Sequence, residues 1–357
     1  MDYIASAINQ AGYSVDIISP SWMGDNTNVG YEKQKKIIIN ENTSVIMCPS
    51  WKTTNKFSRN FKIIFSLVWL FLYLVFNVKK GEKILAYHVE WISLPIRAAK
   101  FIKKFKLILE VEEIYSEVWK KSKKFQKLEE KLIDSADSYI FVSDTLRDRF
   151  KSSNKKSIVL YGSYYVLNQI NKPKKETNTI RLIYAGSVDL TKGGAFKAVE
   201  TMKYLPDYYT LHILGHGSFG NINKLNELIN NVNKENNKEK CIYIGILNGQ
   251  AYSDFLFDCD IALNPQDQGE YMNTAFPSKI ISYLSHNLRI VSTDILSVRN
   301  SVVSKYITFS KNDNPKSIKE AILKVDLKDP FDSSSLISKL DNEFVRNIKE
   351  MLKQNNV

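Results

Sequence analysis

The chain has 357 residues, of which 44% are hydrophobic and 25% are charged. This composition is typical of globular proteins and excludes a disordered chain. The length predicts two domains of ordinary size, each with its own core. The three cysteines are far apart and form no CxxC pair, which predicts free thiols in a reducing cytoplasm. The first ten residues lack the basic start and the long apolar segment of a signal peptide.

The formal net charge of +12 is concentrated in the first half of the chain. Residues 1–171 contain 26 Lys and Arg against 17 Asp and Glu. Three interpretations remain open: solvated surface lysines, attraction to an anionic membrane surface, and nucleic-acid binding. The basic clusters lack the interleaved aromatic residues of RNA-binding modules, so we expect no nucleic-acid partner.

The first half alternates between helix and strand patterns. Residues 1–11 predict a helix that stops at Gly12, and residues 13–19 predict the strand that follows it. A small hairpin is expected across residues 36–48. Strands are then predicted at residues 83–88, 106–112, 138–142 and 157–161, with helices near residues 92–104, 119–134 and 143–151.

Residues 63–78 form an apolar segment in which only Ser66 and Asn77 are polar. Basic residues flank it on both sides. A membrane-spanning helix needs about 20 apolar residues and normally has asymmetric basic flanks. A core helix of the first domain and an in-plane membrane contact are therefore both favoured over a true span.

The second half reads as a separate α/β domain. Residues 171–179 are polar, lack apolar periodicity and predict an interdomain linker. Strands follow at residues 181–186, 210–214, 241–244, 260–264 and 288–292, with helices between them. This alternation predicts a parallel sheet whose ligand binds beyond the carboxyl ends of the strands. The apolar spacing over residues 333–353 predicts an amphipathic final helix.

Several motifs of the second half carry a family resemblance. They are Tyr184-Ala-Gly186 with Lys192-Gly193, the segment from His212 to Gly217, the segment from Cys259 to Pro265, and the segment from Phe276 to Leu284. In this order and spacing they resemble the GT-B fold glycosyltransferases, and in particular the family 4 enzymes of bacterial surface polysaccharide biosynthesis. The resemblance covers most of the chain and is strongest over residues 180–295. It implies an α/β fold of two Rossmann-like domains facing a cleft.

The resemblance also implies a domain layout. It places an acceptor-side domain at residues 1–170, the linker at 171–179, a nucleotide-sugar-binding domain at 180–328, and a C-terminal helix at 329–357 that crosses back to the N-terminal domain. Members of the family begin with a strand and a glycine-rich loop ahead of the helix that residues 1–11 resemble. Either the start of this sequence is misassigned, or the first domain lacks its first strand.

The resemblance assigns a donor site to the second domain. Lys192 stands where the family has its phosphate-binding lysine, although Ser187 replaces a nearby arginine. The two glutamates of the family fall at Thr274 and Ser282, so the ribose-binding carboxylate is missing unless Glu270 substitutes for it. The expected donor-binding residues are Gly186, Ser187, Lys192, Gly193, Gly215, Gly217, Tyr252, Glu270, Pro277, Ser278, Lys279 and Ser282. Purely structural roles remain open for Lys192, Tyr252 and the helix after Pro277.

Candidate catalytic residues come from the first domain. His88 ends one predicted strand, and Glu110 and Glu113 end the next. Charged residues at the carboxyl end of a buried strand are costly unless they are functional or solvated. An inverting transfer would use such a group as the base for the acceptor hydroxyl. His88 is equally compatible with a structural role. Asp258-Cys259-Asp260, at the start of a predicted strand, is the one DxD pattern in the sequence, and no metal is expected.

Together these features predict a metal-independent, hexosyltransferase-type glycosyltransferase. It would move a sugar from a UDP- or GDP-linked donor to a lipid-linked saccharide in capsular, exo- or O-antigen polysaccharide synthesis. The nucleotide sugar is a co-substrate, and no cofactor is expected. We expect it in the cytoplasm, on the inner face of the cell membrane. A nucleotide-sugar 2-epimerase would need more acidic and histidine residues. A catalytically weak sugar-nucleotide-binding subunit is the remaining alternative, favoured by Ser187 and Ser282.

Overall fold

The computed structural model describes residues 2–20, 30–118, 121–150, 154–167 and 178–353. The chain divides into two compact units. The first unit comprises Met1–Phe141, Phe150–Val159 and Glu343–Val357, and the second comprises Val142–Arg149 and Leu160–Asn342.

The elements up to residue 159 are α1 (Asp2–Gln10), β1 (Val15–Ser19), β2 (Tyr31–Glu32), β3 (Lys35–Asn40), β4 (Thr43–Met47), β5 (Ser50–Trp51), α2 (Lys56–Asn77), β6 (Lys83–Tyr87), α3 (Ser93–Lys103), β7 (Lys106–Val111), α4 (Tyr115–Val118), α5 (Lys123–Ser135), β8 (Ser138–Phe141), α6 (Asp144–Arg149) and β9 (Lys156–Val159). The elements after it are β10 (Ile180–Ala185), α7 (Gly194–Thr201), β11 (Tyr209–Leu214), α8 (Phe219–Glu235), β12 (Cys241–Gly245), α9 (Gly249–Phe257), β13 (Ile261–Asn264), α10 (Lys279–Ser285), β14 (Arg289–Thr293), α11 (Leu296–Arg299), β15 (Ile307–Ser310), α12 (Pro315–Leu323) and α13 (Ser334–Lys353).

The main sheet of the first unit is parallel and has the order β6-β7-β8-β9. Its central strands β7 and β8 are buried almost throughout, as expected for parallel strands covered on both faces. A second sheet has the order β1-β4-β3, with β1 parallel and β3 antiparallel to β4. The β3–β4 pair confirms the predicted hairpin. The small ribbon β2–β5 was not predicted.

A cavity of about 950 Å³ lies within the first unit. Residues of β1 and of β6 line it, together with apolar side chains of α1 and α2 such as Ile4, Ile8, Leu70 and Leu74. Both β1 and β6 are edge strands of their sheets in the described part of the chain. Two strand edges therefore open onto one cavity.

The second unit is built on a parallel sheet with the order β12-β11-β10-β13-β14-β15. Strand β10 pairs with β11 on one side and with β13 on the other, so the strand order reverses at β10. In such sheets the ligand binds at this reversal, outside the carboxyl ends of the strands. Helices α7, α8 and α12 contribute to the core against this sheet, with Ala198, Leu225 and Ile318 buried. The predicted α/β class with parallel sheets is confirmed.

The division into units differs from the predicted domain bounds, which remain predictions. Helix α6 and the residues from Leu160 onward cluster with the second unit. Contacts within that unit explain this, because the Ser143 hydroxyl donates to the carbonyl of Thr274, and the Tyr161 ring lies 5.0 Å from that of Phe276. Of the predicted linker, residues 171–177 lie outside the described residues.

Two predicted helices can be compared with the structure: α13 at the end of the chain and α2 over the apolar segment. Helix α13 has the predicted amphipathic pattern, and Phe344 in its second half stacks on Tyr3 at 5.6 Å. Helix α2 covers the apolar segment, but its buried residues are only Lys62, Ser66, Leu70 and Leu74. The core-helix interpretation of residues 63–78 is therefore wrong, because most of the apolar side chains do not face the core.

Candidate functional site

The loops after β10 and β11 pack against each other through their backbones. The amide of Gly186 donates to the carbonyl of Leu214 at 2.9 Å. A Cβ atom on Gly215, where φ is +143°, would lie 1.8 Å from the Gly186 carbonyl oxygen. A Cβ on Gly217 would lie 2.3 Å from the carbonyl oxygen of Val188. Both glycines are thus required by close backbone approach, which forms a compact ledge at the carboxyl ends of the strands.

A tight turn carries the chain from this ledge into α7. The Asp189 carboxylate accepts from the backbone amides of Thr191 and Lys192 at 2.7 and 3.3 Å. Gly193 then takes a φ of +66°, a conformation that favours glycine, as the residue before α7. This turn leaves the Lys192 side chain exposed at the carboxyl end of β10.

The centre of the candidate site is a lysine held on an aromatic ring. The Lys279 ammonium lies 4.1 Å from the centre of the Tyr184 ring. A Cβ on Gly186 would lie 2.8 Å from the same ammonium, and a Cβ on Gly194 would lie 2.8 Å from the Tyr184 hydroxyl. The Tyr184 hydroxyl donates to the carbonyl of Ser187 at 3.1 Å. The absence of side chains at Gly186 and Gly194 therefore gives the lysine and the tyrosine the space they occupy.

The charge of this lysine is not compensated. Burial, together with the neighbouring charge of Lys192, lowers the pKa of Lys279 to about 7. Within the described residues, neither lysine forms an ion pair with a carboxylate. Lys197 in α7 is different, because it is neutralised by Asp267 and Asp313. Lys279 and Lys192 are therefore the cations that remain available to a polyanion.

The helix α10 that carries Lys279 is fixed to the sheet by a buried tyrosine. The backbone amide of Ala185 donates to the Tyr283 hydroxyl at 2.8 Å. The helix begins at Lys279, two residues after Pro277, and Ser278 is exposed. The amide of Ile280 is not free, because it donates to the carbonyl of Pro277 at 2.9 Å and so closes the first turn.

A polar pair lies one turn further along α10. The hydroxyls of Tyr252 and Ser282 are 3.2 Å apart. Nδ1 of His286 donates to the Ser282 carbonyl at 2.7 Å, and its Nε2 accepts from the Ser253 hydroxyl at 2.9 Å. Burial lowers the pKa of His286, which favours this neutral form. Sequence reasoning named Tyr252 and Ser282 separately, and the structure brings them together.

One predicted donor residue cannot be placed. The backbone of Glu270 lies in a short 3-10 helix, Glu270–Asn273, but its side chain is outside the described residues. Its proposed substitution for the missing ribose-binding glutamate therefore stays a prediction.

In the first unit, His88 sits beside a carboxylate that the sequence did not indicate. Nε2 of His88 lies 3.5 Å from Oε1 of Glu129, and the histidine ring stacks on Tyr115 at 5.7 Å. The Glu129 carboxylate also accepts from the amides of Tyr115 and Ser116. Burial lowers the pKa of His88, against the opposing charge of Glu129. Both ring nitrogens are buried, and the Glu129 carboxylate and the backbone of Glu113 are the polar groups beside the ring. A neutral imidazole of this kind can accept a proton.

The other predicted catalytic residues lie next to it. The amide of His88 donates to the carbonyl of Glu110 at 2.8 Å. Burial raises the pKa of the Glu110 carboxyl to about 7, with a smaller contribution from the charge of Glu112. One of its oxygens is buried without a hydrogen-bond partner among the described residues. Glu113 follows β7 and is half-buried. The ends of β6 and β7 thus bring the backbones of these residues together, but the Glu110 carboxyl lies near Glu112, whereas the His88 ring lies beside Glu129.

No family model matches the sequence, and no curated protein matches it. The fold, in contrast, matches solved structures over nearly its whole length. One is an α,α-trehalose-phosphate synthase (UDP-forming) from Burkholderia xenovorans in complex with glucose-6-phosphate, with a TM-score of 0.68 at 10% identity, covering 98% of this chain and 95% of that chain. Another is the sucrose-phosphate synthase of Thermosynechococcus elongatus, with a TM-score of 0.67 at 13% identity, covering 96% and 86%. A third is HepE from Anabaena in complex with UDP, with a TM-score of 0.56 at 14% identity, covering 87% and 84%.

These likenesses define the class of fold. The chain is an α/β protein with parallel sheets and has the GT-B fold. Identities of this size establish the fold alone, and the resemblance to family 4 enzymes of surface polysaccharide synthesis rests on the sequence motifs.

Proposed function

We propose that this chain is a glycosyltransferase whose second unit binds a nucleotide-sugar donor. The observation that carries the proposal is the uncompensated Lys279 on the Tyr184 ring, with Lys192 beside it at the carboxyl end of β10. A nucleoside diphosphate is a polyanion that fits two unpaired cations at the ligand-binding edge of such a sheet. Solved neighbours that contain UDP support a uridine nucleotide as the first choice.

The proposed chemistry places the diphosphate against these two lysines. As the bond from the sugar to the diphosphate breaks, negative charge develops on the leaving oxygen, and a preorganised cation stabilises that charge. Lys279 suits this task because a bound anion restores its protonated form. We further propose that no divalent metal is needed, since the two ammonium groups supply the positive charge that a metal would supply.

The remaining contacts to the two substrates are proposed from where the side chains lie in the structure. The Tyr252–Ser282 hydroxyl pair, one turn beyond Lys279 on α10, would contact the ribose. Neutral hydroxyls replace the carboxylate that related enzymes use there, so we expect weaker ribose binding. Either His88 or Glu110 of the first unit would supply the base for an acceptor hydroxyl if the transfer inverts the anomeric centre.

For the acceptor we propose a lipid-linked saccharide of a bacterial surface polysaccharide. The apolar outer surface of α2 supports a substrate at a membrane, and the family 4 motifs support this substrate class. The alternative acceptor is a soluble sugar phosphate, the kind of ligand seen in the Burkholderia synthase.

A second candidate function is a sugar-nucleotide-binding subunit with little activity of its own. Ser187 and Ser282 favour it, because each stands where a charged residue is expected and neither brings a charge. Such a subunit would bind the nucleotide but transfer no sugar without its partner.

A donor screen tests both candidates. The purified chain would be incubated with radiolabelled UDP- and GDP-sugars, with and without EDTA, in the presence of bacterial lipid extract or sugar phosphates. Sugar transfer to extractable lipid that survives EDTA would support the enzyme, its lipid acceptor and its metal independence. Calorimetric binding of UDP without transfer to any acceptor would favour the binding subunit. Failure to bind either nucleotide would refute both.

A further inference from the structure

Helix α2 has an apolar outer face, whereas its buried face combines Lys62 and Ser66 with Leu70 and Leu74. Six large apolar side chains are exposed along one face, with Phe57 82% and Phe76 78% exposed. This outer stripe consists of Phe57, Phe61, Ile64, Val68, Leu72 and Phe76. Their spacing of three and four residues places them on one side of a helix. The stripe runs for about 29 Å at 1.5 Å per residue.

The inner face of α2 is attached to the protein by polar contacts. The Lys62 ammonium is buried and donates to the carbonyl of Trp51 at 2.9 Å. The Ser66 hydroxyl, also buried, donates to the carbonyl of Lys62 at 2.9 Å. On the flank, Nε1 of Trp69 donates to the side chain of Gln34 at 3.0 Å. An ordinary surface helix exposes polar residues on its outer face, so the exposed apolar stripe is what distinguishes α2.

The charged side chains of α2 and of its neighbour α3 are all positive. Neither α2 nor the neighbouring α3 contains an Asp or Glu, and together they hold six Lys and Arg. Lys56 and Arg59 are exposed at the beginning of α2, and Lys79 and Lys80 are exposed just after its end. Helix α3 packs beside α2 and exposes Phe101.

We propose that α2 is an in-plane membrane-docking helix whose outer stripe inserts into the interface of an anionic lipid bilayer. Apolar surface of this extent is rarely left in water by a soluble monomer. The stripe itself has no hydrogen-bonding side chain with which to recognise a protein. Basic residues at both ends suit the headgroups of acidic lipids. The proposal does not depend on transferase activity.

The same contacts exclude a transmembrane position for α2. By length and composition the helix could cross a bilayer, but only 22% of its most apolar window is buried inside the protein, so it is not an ordinary core helix. A spanning helix would have to release Lys62 and Trp69 from their partners and place the lysine in hydrocarbon. An in-plane position keeps these contacts and buries only the outer stripe.

Vesicle flotation tests the proposal with the full chain. Wild type should float with vesicles of phosphatidylcholine and phosphatidylglycerol, and less with phosphatidylcholine alone or at high salt, because salt screens the basic residues. The triple variant Ile64→Gln, Val68→Gln, Leu72→Gln should lose binding roughly tenfold or more, since it removes three of the inserting side chains. The matched control is Val302→Gln, Phe219→Gln, Leu323→Gln, which removes three exposed apolar side chains of the second unit.

A probe at Val68 measures insertion directly. The native cysteines Cys48, Cys241 and Cys259 are all buried, so a thiol-reactive fluorophore would label Val68→Cys selectively. Brominated acyl chains should quench this fluorophore but leave one on Val302→Cys unquenched. Equal flotation of the two triple variants, or no quenching at Val68, would overturn the proposal. So would a wild-type dimer that the α2 variant converts to a monomer without any binding to vesicles, since a second copy would then cover the stripe.

Discussion

The Lys279 ammonium lies over the Tyr184 ring, 4.1 Å from its centre, with no carboxylate partner in the described structure. A cation–π contact stabilises an ammonium by about 0.5–2 kcal/mol, less than an ion pair in a buried setting. The ring positions the lysine without neutralising it. Lys279 therefore retains the capacity to bind an anion.

Replacing Lys279 by Met should weaken UDP binding. The change keeps a long apolar side chain on the Tyr184 ring but removes the charge. A hydrogen bond to a charged group contributes about 1.5–3 kcal/mol, so we expect Kd to rise roughly 10- to 150-fold. Calorimetric titration with UDP and with uridine separates the effects, because uridine carries no phosphate and should be bound as before.

The matched control for this change is Lys305→Met. Lys305 lies 5.2 Å from the ring centre of Tyr306, a similar lysine–tyrosine contact in the same unit. The Lys305→Met substitution should leave UDP binding unchanged. If both variants bind UDP as tightly as wild type, the diphosphate does not contact Lys279.

UDP binding should become weaker as pH rises above 7. The pKa of Lys279 is lowered to about 7 in the free protein, and a bound diphosphate raises it again. Above pH 7 binding therefore takes up a proton, and affinity should fall by up to about tenfold per pH unit. Calorimetric titration in buffers of different ionisation enthalpy measures how many protons are taken up when UDP binds. An unchanged proton count in Lys279→Met would assign the uptake to another group.

The same lowered pKa affects the stability of the free protein. The unfolded chain holds the proton up to about pH 10.5, whereas the folded chain releases it near pH 7. Between these values the unfolded state binds more protons, so the contribution of Lys279 to stability should increase with pH. Urea unfolding of wild type and Lys279→Met across this pH range would show the difference in how steeply the free energy of unfolding changes with pH.

Gly215→Ala should destabilise the second unit strongly. The new Cβ would lie 1.8 Å from the Gly186 carbonyl oxygen at a φ of +143°. Strain of this kind costs about 1–3 kcal/mol for the backbone alone, and the collision adds to it. The control is Gly220→Ala, in the first turn of α8, where nothing lies within 4 Å and alanine favours the helix. Equal melting temperatures for the two variants would contradict the close approach of the two loops.

Glu110→Gln should change how stability depends on pH. The folded pKa of Glu110 is raised to about 7 from 4.5, so the folded state binds more protons between these values. The stabilisation is complete below pH 4.5 and should be lost as pH rises to about 7, on the order of 3 kcal/mol. The variant should show no such loss, whereas the exposed control Glu130→Gln should behave as wild type.

Ser282→Glu should tighten nucleotide binding. A carboxylate at Ser282 could accept from the ribose hydroxyls through bonds about twice as strong as those of a neutral hydroxyl. Ser282→Ala should lose at most about 0.5–1.5 kcal/mol, the contribution of one neutral hydrogen bond. Dissociation constants for UDP and uridine locate the residue. A gain with both ligands places it at the ribose, a loss with UDP alone places it at the phosphates, and no change with either ligand removes it from the site.

The sequence allowed the order of elements to be predicted because the patterns are local. Short apolar runs such as those of β7 and β10 indicate buried strands, and the helical spacing of apolar residues in α13 indicates an amphipathic helix. Strand β15 and helix α12, which follow the last motif of the resemblance, were not predicted. The site residues Gly186, Lys192 and Lys279 could be named from the resemblance, because their motifs survive in order.

Contacts between distant segments could not be predicted in the same way. Tyr184 belongs to a strand motif, and nothing local indicated that Lys279 would lie on its ring. Glu129 was missed because it stands next to Glu130 in a lysine-rich amphipathic helix, where both glutamates look like surface. For helix α2 the core and in-plane interpretations both stayed open, because composition gives the apolar content of a helix, while burial depends on which face the neighbouring segments cover.

The cavity lined by β1 and β6 indicates which backbone amides of the first unit should exchange with solvent soonest. Backbone amides that point from these two edges into the cavity have no strand partner in the described structure, so fluctuations of either edge break few hydrogen bonds. Amide hydrogens of β1 and β6 should therefore exchange with solvent deuterium sooner than those of β10, which is paired on both sides. Within the first unit, the slowest-exchanging amides should lie in β7 and β8, which are paired on both sides.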